Sequence, residues 1–492
     1  MGHLFLGIDL GTSAVKLVLI DENKRIVASK VEQYQVASLN QGWCEIDPTL
    51  WFECMKAGMH KLFAKIDVNL IEGICVTGQM HTLVTIDKEG RPLRPAIMWN
   101  DTRTKELIPE LKGRIAEFEE GAYLARTIST GSPAANLYWM SRYEKELFDR
   151  IHKFMIGPDY LVYCLSGCCG TDYCEASTSC LYLQERREWS EEMRIFIGLH
   201  KDMYPDIHGS AVAAGKIRKE MAKELGIPET VQIFTGTGDN PATAISAGCL
   251  DNGHPLISLG TSGVMITPVF ARKKDVKGKK ILFSLDGEQM LHFVQGAVQS
   301  NGSTVDWWFR KILGKKDFSE IDAMFAEGRP VSEGLLFYPH LAGDKTIYAD
   351  PDIRGAFLGV SREESTVTMT YAVIEGLCFA MKELAEEMKL PVASFDSLKV
   401  IGGGAKSHVW MQTLANVFDM RVEQMDGITG AGYGAALLAA YGTDHELSGR
   451  ADRTTQIKAS FEPEKQYVAL YKKKYQMYLR IYKGLNYIYE GI

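Results

Sequence analysis

Leu4-Phe5-Leu6-Gly7-Ile8-Asp9-Leu10-Gly11-Thr12-Ser13-Ala14-Val15-Lys16 is an apolar run, a Leu-Gly-Thr-Ser turn and the start of a second apolar run that reaches Ile20. Leu256-Ile257-Ser258-Leu259-Gly260-Thr261-Ser262-Gly263-Val264-Met265-Ile266 repeats the device in the second half of the chain. Each copy reads as strand, tight turn, strand. One such glycine turn would be an ordinary hairpin. Two copies point to two related domains. Working outward, Ile26 to Val31 makes a third strand. Asp47-Pro48 reads as an N-cap and first helical residue, opening a helix to about Phe63. Ile71 to Thr77 is a further buried strand. Strands alternating with helices indicate an α/β protein.

The segment from about Pro109 to Pro228 is richer in helical periodicity and in charge. Asp286-Gly287 between apolar runs predicts a hairpin just after the second copy. Val367, Tyr371, Ile374, Leu377, Met381, Leu384 and Met388 recur at three- and four-residue steps, which predicts a long amphipathic helix from Thr366. Leu398 to Ile401 is a short strand, followed by Gly402-Gly403-Gly404 and then Ser407, an N-cap for a helix through Phe418. Tyr467 to Tyr489 reads as a surface helix with aromatic packing. The small residues from Ala247 to Gly253 mark the boundary, giving domains 1–248 and 249–492.

The 492 residues carry 55 Lys+Arg against 62 Asp+Glu, a formal charge of −7. This acidic balance disfavours a protein that coats nucleic acid or an anionic membrane. No apolar stretch approaches the ~20 residues of a membrane span, and no cationic segment precedes the first strand, so no export signal is expected. The ten cysteines then read as reduced thiols of a cytoplasmic protein. Five of them fall between Cys164 and Cys180, without the paired spacing of a zinc site, and read as small buried residues.

Glycine in the paired turns lets backbone approach a ligand, and Thr12, Ser13 and Thr261 add hydroxyl donors beside backbone N–H groups, a combination suited to phosphate oxygens. Asp9, just before the first turn, would repel a phosphate unless a divalent cation lay between, so it is the expected Mg2+ ligand. In Gly238-Asp239-Asn240-Pro241, Asn240 and Pro241 read as N-cap and first helical residue. Asp239 beside that helix N-terminus is then an ionised acid able to take a proton from an alcohol. Gln79-Met80-His81 and Trp99-Asn100-Asp101-Thr102-Arg103 each follow a buried run, and such amide, imidazole and carboxylate groups suit a polyhydroxylated substrate. The glycines at 402–404 match neither a dinucleotide fingerprint nor a Walker loop.

In order and spacing, Gly7-Ile8-Asp9-Leu10-Gly11-Thr12-Ser13, Gly78-Gln79-Met80-His81, Trp99-Asn100-Asp101-Thr102-Arg103, Gly238-Asp239-Asn240, Ser258-Leu259-Gly260-Thr261-Ser262-Gly263 and Gly402-Gly403-Gly404-Ala405-Lys406-Ser407 resemble the FGGY carbohydrate kinases. Gly355-Ala356-Phe357-Leu358-Gly359-Val360 with Ile374-Glu375-Gly376 resembles the family's C-terminal signature. The resemblance implies two actin-like (ribonuclease H-like) ATPase domains flanking a central cleft, with ATP and Mg2+ as cofactors and a sugar as the other partner. It implies Asp239 as base, Asp9 for Mg2+, Thr12, Ser13, Gly260 and Thr261 around phosphates, and Gly302, Gly403, Gly404 and Ser407 beside adenosine. Met80, His81 and Asn240, with Gln79, would contact the sugar. Gln-Met-His followed by Trp-Asn-Asp-x-Arg is most similar to the xylulokinase branch, whose substrate is D-xylulose. The sequence departs from the family where Asn136 replaces a usual Lys, at Gly343 to Thr346, and where Pro158 replaces another. A kinase for ribulose, a heptulose or a polyol, and an actin-fold ATPase switch that needs no sugar, stay open as alternatives. Family resemblance also implies a homodimer.

Overall fold

The computed structural model describes residues 2–36, 42–250, 254–269, 277–316, 320–425, 430–443 and 457–489, and for 486–489 the backbone alone. The chain divides into two compact units. One comprises Met1–Ser246, Ile281–His292 and Gly430–Thr454; the other comprises Ala247–Lys280, Phe293–Thr429 and Thr455–Ile492.

The first unit is built on β1 (Leu4–Leu10), β2 (Ala14–Asp21), β3 (Ile26–Gln33), β4 (Ile71–Gly78), β5 (Ala213–Lys216) and β6 (Gln232–Gly238), in the order β5-β6-β4-β1-β2-β3. Strand β1 is antiparallel to β2 and parallel to β4, which in turn is parallel to β6. Every residue of β1 is buried, because both faces of this sheet are covered. Successive strand side chains point to opposite faces. Leu6, Ile8 and Leu10 join Trp51, Met55 and Met59 of the helix Pro48–Phe63 in one core, where truncating a residue such as Ile8 to Ala costs about 2–5 kcal/mol. On the other face Gly7 meets the helix Ala431–Thr443: a Cβ there would lie 1.9 Å from the Gly432 carbonyl oxygen. Only a glycine lets that helix backbone lie directly on the strand. The segment between β4 and β5 adds a helical core of its own around Leu111, Ile115, Leu137 and Leu181.

The second unit repeats the plan with β7 (Leu256–Leu259), β8 (Gly263–Val269), β9 (Lys279–Phe283), β10 (Leu291–Val298), β11 (Leu398–Ile401), β12 (Val422–Met425) and β13 (Ile457–Phe461), ordered β9-β10-β8-β7-β11-β12-β13. Here β7 is antiparallel to β8 and parallel to β11, β11 is parallel to β12, and β12 is antiparallel to β13. Each relation matches one in the first sheet, so the two Leu-Gly-Thr-Ser turns close equivalent hairpins.

Three expectations change. A single cut at 248 does not describe the compact units, because the tip of the β9–β10 hairpin and the helix Ala431–Thr443 fold into the first unit. Backbone bonds from Ser210 N to Ser284 O (2.8 Å) and from Ala211 N to Leu285 O (2.9 Å) fasten the hairpin tip there. Of the expected boundary, residues 251–253 lie outside the described residues. The C-terminal helix is not a surface helix: Tyr471, Tyr475 and Tyr478 of Lys465–Tyr478 lie on one face at four- and three-residue steps and are buried in the second unit's core. Finally, the helix after β6 spans Asp239–Ser246, so Asn240 stands inside its first turn rather than capping it. Among the described residues no helix is long and apolar enough to cross a membrane.

Candidate active site

Sheet register brings the first group of expected site residues together. Leu10 pairs with Gly78, and Gly78 with Gly238, so the parallel strands β1, β4 and β6 end level. Gly11-Thr12-Ser13, Gln79-Met80-His81 and Asp239-Asn240 therefore emerge side by side at the carboxyl edge, where open α/β sheets hold ligands. Local bonds fix them. Gln79 N donates to Leu10 O (2.8 Å), Thr77 Oγ1 to Thr237 O (2.6 Å), and Asn240 Nδ2 lies 3.7 Å from Met80 Sδ. His81 adopts a left-handed backbone (φ 71°), which turns the chain sharply after the strand. Gln79 is 2% exposed, and both polar atoms of its amide lack a hydrogen-bond partner among the described residues. Asp239, Asn240, His81 and Thr12 are half-buried and Ser13 is exposed, so solvent reaches them. The exposed Trp99 donates its indole N–H to Thr12 Oγ1 (3.2 Å).

Asp9 is 8% exposed. Burial raises its pKa from the ordinary 3.8 to about 6, and Lys16, with Nζ 4.0 Å from Oδ2, acts in the opposite direction. Among the described residues no three His, Cys, Asp or Glu side chains gather as a metal site. A lone sealed carboxylate fits a cation held mainly by phosphates and water, the usual mode for Mg2+, and does not fit an all-protein cage.

The second group meets within the other unit. Gly260, Thr261, Gly302, Gly403, Gly404 and Ser407 all line one cavity of about 820 Å3. Its floor is the β7–β8 turn, clasped by Gly302 N donating to Gly260 O (2.9 Å) and Ser303 N to Thr261 O (3.1 Å). Gly302 is required by this close approach: a Cβ there would sit 2.4 Å from Gly260 O. Ser407 caps the helix His408–Phe418 as expected, accepting from Trp410 N (3.3 Å) and donating to Asp322 Oδ1 (2.6 Å). Its hydroxyl is thus committed to structure and its place in the cavity is as wall. Asp322 and Trp410 also line the cavity and were not anticipated. Trp410 follows the N-cap by three residues, a usable signal; Asp322 arrives by tertiary folding, with no local signal.

The family model for the FGGY carbohydrate kinases matches in both parts: its N-terminal domain over residues 4–246 and its C-terminal domain over residues 256–443. A xylulose kinase of Staphylococcus epidermidis is 32% identical over 488 residues, 98% of this chain and 97% of that protein. A xylulose kinase structure from Brucella ovis superposes with a TM-score of 0.89 at 30% identity, covering 99% of this chain and all of that one. A gluconate kinase structure from Lactobacillus acidophilus gives 0.86 at 26% identity, covering all of this chain and 99% of that one. The strand-end groups, the repeated topology and these matches converge: the chain belongs to the FGGY family of carbohydrate kinases and is an ATP-dependent sugar kinase.

Proposed function

We propose that this kinase transfers the γ-phosphate of ATP to a primary hydroxyl of D-xylulose. One observation carries the reading: the level ends of β1, β4 and β6 set a solvent-reached carboxylate, Asp239, beside the Gln79-Met80-His81 turn. An alcohol needs a base, and a ketose needs amide and imidazole groups for its other hydroxyls. The xylulose kinases among the relatives support the choice of ketose.

In this mechanism His81, Asn240 and the Gln79 amide orient the sugar. Asp239 accepts the hydroxyl proton as the oxygen attacks phosphorus, worth roughly 10²- to 10⁴-fold. Thr12 and Ser13 present hydroxyl and backbone donors to phosphate oxygens, and Gly260 and Thr261 do the same from the nucleotide cavity. Gly302, Gly403 and Gly404 let the nucleoside lie against bare backbone. Asp9 would hold Mg2+, which supplies charge neutralisation on the phosphates. The remaining contribution is positioning and electrostatics. The ten free cysteines suit a cytoplasmic, reducing setting, and pairing into a homodimer, checked by light scattering, completes the expected assembly.

The test is ATP consumption over a panel of D-xylulose, ribulose, a heptulose, gluconate and polyols. D-Xylulose should give the highest kcat/KM. A tenfold preference for another sugar would overturn the substrate, and an ATPase rate indifferent to every sugar would overturn the transfer.

A further inference from the structure

One group at the strand ends has no part in that mechanism. Glu175 lies on the short helix Tyr173–Thr178, is 1% exposed, and neither oxygen of its carboxyl group has a hydrogen-bond partner among the described residues. The packing brings this helix against the site: a Cβ built on Gly238 would lie 3.1 Å from Cys174 Sγ and 2.5 Å from Met80 Cγ. Cys174 precedes Glu175, and Gly238 precedes Asp239. Two further buried carboxyls lie nearby, and both are supplied with donors. Asp172 caps the helix, accepting from Glu175 N (2.9 Å) and Ser210 Oγ (2.9 Å). Asp159 accepts from Ile156 N (3.1 Å). Glu175 is the sealed acid of the three that no side chain or helix cap serves, the backbone of His81 being the donor beside it.

We propose that Glu175 is a positioning residue for the base: sealed behind Asp239 and the backbone of His81, it keeps its proton and so leaves the negative charge on Asp239. The proposal rests on the sugar-kinase reading of Asp239. Two carboxyls in one low-dielectric site do not both ionise cheaply, and opposed environments divide them into a neutral acid and a charged base. Burial acts first on Glu175, followed by the charges of Asp172, Asp159 and Asp239, and together they push its carboxyl well above the usual range; the His81 backbone opposes them. Cys174, also buried, is pushed up as well, by burial first and then by the Asp172 and Glu175 carboxyls. Asp239, reached by solvent at a helix N-terminus, is the member that stays ionised. At alkaline pH a second charge on Glu175 would stand behind the base and displace it, so turnover should fall.

The experiment is kcat/KM for the ketose against pH in the full-length enzyme, for wild type, Glu175→Gln and Glu175→Met. Wild type should show a falling alkaline limb. Glu175→Gln, which cannot ionise, should lose that limb or move it by at least about one pH unit. Glu175→Met, which cannot ionise either, should lose the alkaline limb in the same way, with the KM for ATP unchanged. An alkaline limb identical in wild type and Glu175→Gln would overturn the proposal. So would an acidic limb that moves to lower pH in Glu175→Gln, because that shift means the wild-type residue was charged. Infrared difference spectra of wild type against Glu175→Gln read the buried protonated carboxyl without any turnover. A missing band overturns the proposal even in an active enzyme, whereas a band present in a protein that phosphorylates no sugar overturns the sugar reading instead.

Discussion

The carboxyl edges of the two sheets are built on one plan and furnished in opposite ways. In the first unit β1, with Asp9 one residue before its end, runs into Gly11-Thr12-Ser13 as β7 runs into Gly260-Thr261-Ser262, but β4 and β6 lead into Gln79-Met80-His81 and Asp239-Asn240. In the second, the equivalents β7 and β11 end in Gly260-Thr261 and Gly402-Gly403-Gly404. Parallel pairing fixes where strands stop, whatever residue comes next. Acids and amides there make a place for moving a proton; glycines make a place where a ligand can lie on backbone. Buried carboxyl groups divide the same way. Asp9 and Glu175 lie near the carboxyl edge of the first sheet, whereas Glu375 and Glu383 of the second unit line no part of its cavity. Removing charge at the first edge should therefore cost activity, and removing it from the second unit's core should cost or add stability alone.

The largest effect tests the first edge. Asp239→Ala should lower kcat for the ketose by roughly 10²- to 10⁴-fold while leaving nucleotide affinity, measured by calorimetry with ADP, unchanged. Near-normal turnover would remove Asp239 as the base, and a parallel loss of ADP binding would mean the two edges do not work separately.

Next come the second unit's buried charges. Lys474 Nζ donates to Glu375 Oε2 (2.6 Å) and to Ser332 O (2.7 Å) inside the core. Lys474→Met strands that carboxylate and should destabilise the fold by about 3–5 kcal/mol in urea unfolding, with kcat/KM of the folded fraction kept. Glu383 has the opposite sign. Burial foremost, with Glu387, Asp344 and Glu386 adding, raises its pKa from 4.5 to about 7 despite the bond from Tyr348 Oη. A carboxyl raised on folding stabilises the fold only while protonated, so wild type loses stability as pH climbs from about 4.5 to about 7. Glu383→Gln does not titrate and keeps an acceptor for Tyr348. It should be more stable than wild type by about 3 kcal/mol at pH 8, with the gain gone near pH 4. A gain that is the same at both pH values would show that packing, not charge, is responsible.

Much of this architecture was legible in the sequence where the signal is local. Strand β11, the helix Pro48–Phe63 with the Asp47 side chain accepting from Thr49 N (2.9 Å), and the Ser407 cap all follow from residues within a turn of one another. The repeated Leu-Gly-Thr-Ser device foretold the repeated topology because a hairpin turn is a short-range object. What was missed is long-range. That Ala431–Thr443 belongs to the first unit depends on the fit of its backbone over Gly7, which no window of sequence contains. Lysines at 472–474 mask the buried tyrosine face of Lys465–Tyr478, and Lys474 itself is buried through its distant partner Glu375. Glu175 and Asp322 enter their sites from elements whose own sequence reads as ordinary helix.

The smallest expected effect tests the second edge, where the proposal has backbone rather than side chain meet the nucleotide. Gly302→Ala places a methyl group 2.4 Å from Gly260 O, and because the opposing atom is backbone, the β7–β8 turn has to move. Overpacking of this kind costs about 1–3 kcal/mol. Gly260 and Thr261 wall the cavity proposed for the nucleotide, so the cost should appear as a rise of about tenfold in the KM for ATP. The KM for the ketose should stay unchanged, since Asp239 and the Gln79-Met80-His81 turn belong to the other unit. A rise in the sugar KM with the ATP KM untouched would reverse the assignment of the two edges, and equal rises in both would show that the glycine edge shapes the reacting complex as a whole rather than the nucleotide alone.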